Sequence, residues 1–126
     1  MTINDILTKV DDLKPNQYSD AIKIGWLNDV EGSIFNDIMM THLFPDWEDM
    51  PEYFTPYTPD DINEHMIAPD IYADLYVYYL FAMIDFHNNE AARYASSMQM
   101  FNTAIKAFAD WVNRNYDPIG YPLKVF

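Results

Sequence analysis

"YVYYLFAMIDFHNNEAARYASSMQMF" occupies positions 76 to 101, and its reading decides the fold. Four of its first six residues are aromatic, yet Asp85, His87, Asn88, Asn89 and Glu90 interrupt the apolar run. Upstream, Tyr72, Leu75, Tyr76, Tyr79, Leu80, Met83, Ile84 and Phe86 cover most of a helical circumference. Asp74 and Asp85 are eleven residues apart, three helical turns, and share one narrow polar strip with Tyr78 and Phe81. The spacing predicts a helix over about 70–87, buried on several sides. "HNNE" then reads as a tight turn in which Asn88 or Asn89 adopts left-handed geometry. Beyond it Tyr94, Met98, Phe101, Ile105, Phe108 and Val112 alternate spacings of four and three. That seam predicts a second helix over about 90–116, antiparallel to the first.

Working outward, Thr2 caps a short helix to Leu13, with Asp5 as capping-box partner and Ile3, Ile6, Leu7, Val10 and Leu13 as its apolar face. Pro15 ends it. Leu27, Val30, Ile34 and Ile38 predict a longer helix from about Ser19 to His42, flanked by Trp26 and Phe35. Gly25 and Gly32 lie seven apart on one face of it, where they permit a close helix crossing or are tolerated surface glycines. From about 44 to 68 prolines break regular structure, apart from a short helix expected from Pro59, capped by Thr58, to about Met66. The fold expected is all-α, a single domain over 1–126. It is a bundle of about four to five helices with a helical hairpin, a long irregular acidic aromatic loop and an extended apolar tail at 117–126. Its core is expected at Leu27, Ile34, Leu75, Tyr79, Met98, Phe101, Phe108 and Trp111.

Composition narrows the function classes. Twenty acidic residues stand against seven lysines and arginines, for a net charge of −13. No lysine or arginine occurs from Ile24 to Ala92, while nine acids fall between Phe44 and Asp74. Gripping nucleic acid needs cations that displace counterions from phosphate, and this chain has few. The acidity serves solubility, or it forms a surface that repels DNA, mimics it or meets a basic partner. Cysteine is absent, which removes disulfides and thiolate chemistry. The opening residues lack the pattern of a signal peptide, and the longest apolar run, Leu75 to Ile84, is about half of the ~20 residues a membrane helix needs. A soluble protein without a membrane role is expected.

Chemistry finds little to work with. Three glycines build no phosphate-binding loop, and no motif links His42, His65 or His87 to a serine. Asp61 and His65 are four apart, as are Asp60 and Glu64, so a helix there would present metal-ligand pairs. Solvated charge is the commoner fate of such pairs. His87 and Glu90 fall across a turn and have no repeat of the motif elsewhere, so a structural role is expected for His87. No catalytic, cofactor or metal residues are assigned. Partner contact remains. The protruding aromatics Trp47, Tyr53, Phe54 and Tyr57, with Tyr72, Tyr76, Tyr78 and Phe126, are the candidate subunit or partner interface.

Three stretches carry a resemblance: "KIGWLNDVEGSIFNDI" (23–38), "FTPYTPDDINEHMIAPDIYADLYVYYLFAMIDFHNNE" (54–90) and "RYASSMQMFNTAIKAFADWVNR" (93–114). They resemble the head–tail connector, or adaptor, proteins of tailed bacteriophages and prophages, on the ordered series Trp26-Leu27-Asn28, "YVYYL", "NNE" and "RY…FN…FADW". The resemblance implies a small helical subunit of a ring, commonly twelve-fold, that sits beneath the portal, extends the DNA channel and offers a platform for stopper and tail. It implies no reaction or cofactor, DNA that passes without specific binding, and a place in the virion after the host bacterial cytoplasm. The tail "PIGYPLKVF" matches no pattern of that family. The rival expectations are an acidic inhibitor or DNA mimic that binds a basic host protein, and a metal-dependent enzyme using Asp60, Asp61, Glu64 and His65.

Overall fold

The structure, a computed structural model, describes residues 1–45, 47 and 50–119. Four α-helices carry it: α1 (Ile3–Leu13), α2 (Asp20–Ile34), α3 (Asp74–His87) and α4 (Ala91–Asn115). No β-sheet forms among the described residues, which contain two isolated bridges, Thr2 to His65 and His42 to Pro118. The all-α bundle with an α3–α4 hairpin follows the sequence reading.

Each helix begins or ends where its local chemistry dictates. Thr2 accepts from the Asp5 amide at 3.1 Å, and Asp5 in turn accepts from the Thr2 amide at 3.0 Å. These two bonds satisfy orphan donors at the α1 N-terminus. Two further first-turn donors, Ile3 and Asn4, bond to the carbonyls of Glu64 and Ile62 at 3.0 and 2.8 Å. Ser19 caps α2 through the Ile22 amide at 3.2 Å. At the hairpin turn Asn89 adopts φ 59°, in the left-handed region that asparagine tolerates better than most residues.

The structure corrects two helix boundaries. The helix expected from Ser19 to His42 is α-helical only to Ile34 and continues as one π-helical turn, Phe35–Met39. There the Met40 amide reaches back five residues to the Phe35 carbonyl at 2.9 Å, and both Phe35 and Met39 are buried. The helix expected from Pro59 to Met66 is a single 3-10 turn, Pro59–Asp61. Ile62 and Glu64 instead spend their carbonyls on the start of α1, which is incompatible with continuing a helix of their own. A second 3-10 turn, Asp70–Tyr72, leads into α3.

Helix α3 packs against each of the other three, whereas α4 rests chiefly on α3 and on the 70–72 turn. The polar strip on α3 is where α1 lies. Lys9 Nζ reaches Asp74 at 2.8 Å, and Lys14 Nζ reaches both oxygens of Asp85 at 2.7 and 2.8 Å. Asp85 is fully buried and also accepts from Ser97 Oγ of α4 at 2.9 Å, so one carboxylate joins three helices. Of the eight expected core residues, Leu27, Ile34, Leu75, Phe101 and Phe108 are buried. Tyr79, Met98 and Trp111 are only partly buried and pack on the core from its edge, Tyr79 against Phe101 where α3 meets α4 and the other two on α4, which rests chiefly on α3.

Candidate partner interface

The aromatic segment between the second and third helices is held down by polar contacts from α2. Asn28 Nδ2 donates to the Tyr57 carbonyl at 3.0 Å, and the Tyr57 amide donates to Asn28 Oδ1 at 2.8 Å. One turn on, Glu31 accepts from Tyr76 Oη at 2.5 Å, from Tyr57 Oη at 3.1 Å and from the Ile67 amide at 2.8 Å. The Ala68 amide completes the network by donating to Tyr76 Oη at 3.0 Å. Glu31 has no exposed surface. Burial pushes its carboxyl above the usual range, against the downward pull of its three donors. The same burial, with the nearby Glu31 carboxyl, raises the Tyr76 and Tyr57 hydroxyls above theirs. Buried polar groups of this kind fix a unique arrangement only when every member is satisfied, as here.

The aromatic candidates divide once this network is drawn. Tyr76 is fully buried as a network member, so it presents nothing to a partner, contrary to the sequence reading. Phe54 and Tyr57 are half-buried: Phe54 covers Gly32 at 3.5 Å from where a Cβ would stand, and its ring lies 5.6 Å from that of Tyr57. Tyr72 and Tyr78 are also half-buried. Tyr53, at 78% exposed, and Trp47, at 37%, stand at the surface. Phe126 lies outside the described residues.

Trp47 stands between two open clefts. One, of about 250 Å³, has an almost wholly apolar wall that includes Met39, Phe44, Ile67, Trp111 and Tyr116. The other, of about 390 Å³, includes Phe35, Tyr53, Phe54 and His65, and both share Trp47 and Ile67. The first is a little smaller than ordinary small-molecule pockets and is of a size for one or two inserted side chains. Past α4 the chain returns to the end of the second helix, where the Ile119 amide donates to the Thr41 carbonyl at 2.7 Å. His42 fixes this end of the bundle, with ring nitrogens 2.7 Å from the Ile38 carbonyl and 2.7 Å from Asn113 Oδ1.

The metal candidates do not converge. Asp61 is drawn into capping Thr58, its carboxylate accepting from the Thr58 amide at 2.7 Å, and no helix places His65 beside it. Among the described residues no group of three or more potential ligands could hold a metal ion. His87 packs its ring on Trp26, centroids 5.2 Å apart and nearly parallel, a structural role as expected. No described helix is long and apolar enough to cross a membrane.

Glu31 was missing from the sequence reading, although its position betrays it. It lies four residues after Leu27 and three before Ile34, in the middle of the apolar stripe. Lys23 is a second such case: it is buried against α1, where its Nζ meets Asp11 at 2.5 Å and Asn16 at 3.3 Å. No protein-family model, no curated protein and no solved structure matches the chain.

Proposed function

We propose that this chain is an assembly protein of a tailed phage or prophage, an adaptor-type subunit of the head–tail connector. It docks beneath the portal, closes a ring of identical subunits and presents a surface to the stopper and tail, while DNA passes through the channel without being held. It acts by binding and does not catalyse a reaction. The observation that supports this reading is the ordered series that resembles that family, three residues of which have a structural task. Trp26 packs on His87, Asn28 clamps Tyr57, and Asn89 makes the left-handed turn between α3 and α4. The acid-rich surface supports the reading too, because a channel lined with few cations does not grip phosphate.

The test is co-purification of the full chain with the portal protein encoded by the same phage or prophage, followed by native mass spectrometry. A portal complex carrying a ring of copies is the expected result. A chain that ignores the portal sinks the proposal, and salt-sensitive binding to a basic nuclease or repressor would put the DNA-mimic reading in its place.

A further inference from the structure

We propose that a second copy of this chain docks through the outer face of its α4 onto the Gly25 face of α2, a head-to-tail contact. The inference deepens the connector reading and rests on it for the expectation that the contact closes into a ring.

The first observation is a glycine without an intrachain reason. Among helix-interior residues only proline is less favourable than glycine. Gly32 has its reason, since Phe54 lies over it. Gly25 has none among the described residues: a Cβ there would meet nothing of them within 4 Å. It sits in an exposed stripe of Ile22, Gly25, Asp29 and Ser33, spaced by three and four residues as a helix-packing seam is. Ile22 in that stripe is 48% exposed.

The second observation is the outer face of α4. Residues 91–109 hold no acid in a chain of net charge −13. Arg93, Ser96, Met100, Thr103 and Ala107 are all exposed and again spaced by three and four, with Lys106 beside them. Since α4 rests on α3 and the 70–72 turn, this seam has no helix over it among the described residues. Between Arg93 at one end and Ala107 at the other it has the short side chains Ser96 and Thr103 around a protruding Met100, itself 48% exposed.

The two faces complement each other. Short side chains on α4 against the bare backbone at Gly25 permit close helix approach, while Met100 and Ile22 supply apolar contact. Arg93 and Lys106, which also pair with Glu90 and Asp110 of their own chain, bring cations to a face that offers Asp29. Because the patches differ, the contact is heterologous, and repetition of it gives a closed ring or an open filament.

Sedimentation of the full chain from micromolar to millimolar concentration, with Gly25→Leu and Met100→Glu, tests this. Both positions are exposed, and circular dichroism establishes that each variant folds. If one does not, Asp29→Lys or Lys106→Glu replaces it on the same face. The wild type is expected to self-associate and each variant alone to remain monomeric. An equimolar mixture of the two is expected to stop at a dimer, since one intact pair of faces survives. A wild type monomeric at millimolar concentration, a variant that associates as the wild type does, or a mixture that forms nothing or grows beyond dimers overturns the contact. Portal binding by a monomeric wild type would leave the connector reading standing without it. Self-association through these faces by a chain that ignores the portal would do the reverse.

Discussion

Glu31 concentrates much of what is unusual here, because a carboxyl with no exposed surface is surrounded by three donors, none of them a cation. With its folded pKa raised by burial, the folded protein holds the proton over a pH range in which the unfolded chain has lost it. Stability from this group is therefore full below the ordinary glutamate value of 4.5 and is lost as pH rises through the raised one. In denaturant titrations from pH 5 to 8, the advantage of the wild type over Glu31→Gln should shrink as pH increases. An advantage that holds level across this range would mean that the three donors outweigh burial. Asp85 is the opposite case, a buried carboxylate with its cation supplied by Lys14. Lys14→Met strands that charge, and a loss of about 3–5 kcal/mol is expected in the same assay.

At the scale of elements, the helices differ in how they are held. The seam of α4 meets α3 along one face, and Phe108 is buried there against Tyr72 and Trp111. Phe108→Ala should cost about 3–5 kcal/mol by thermal or chemical denaturation; a change under about 1 kcal/mol would contradict its place in the core. The hairpin turn depends on the backbone of Asn89. Asn89→Gly should be tolerated, and Asn89→Val should cost about 1–2 kcal/mol because a branched side chain resists positive φ. The aromatic segment mixes two tasks. Alanine at Phe54 or Tyr57 removes packing as well as surface, so it should lower the melting temperature along with any partner binding. Tyr53→Ala touches only exposed surface. It should leave the melting temperature unchanged and weaken portal capture, and unaltered capture would remove Tyr53 from the interface.

For the molecule as a whole, charge sets the conditions under which it folds. An excess of thirteen negative charges repels itself, and salt screens that repulsion over about 10 Å at 0.1 M. The melting temperature should therefore rise between 10 and about 150 mM sodium chloride, and a fall would mean that the ion pairs made by Lys9, Lys14 and Lys23 outweigh the repulsion. Period and punctuation made the helices legible in the sequence. The seam from Tyr94 to Val112, the capping box at Thr2 and the asparagine turn are local patterns, and local patterns are written in neighbouring residues. The loss of a helix after Asp61 was not legible, since it follows from bonds to the start of α1, remote in the chain, and nothing in the residues around Ile34 announced the π-helical turn that follows it. The candidate interface was half legible for the same reason. An aromatic residue announces that it will bury surface, but not against what. Tyr76 went inward to Glu31 while Tyr53 stayed outside. The sequence alone thus determined the all-helical bundle, its hairpin and its acidity, because periodicity and charge are properties of the chain itself. Tertiary structure alone decided which polar groups were buried and which aromatics remained exposed, because burial depends on which distant segments arrive to satisfy them.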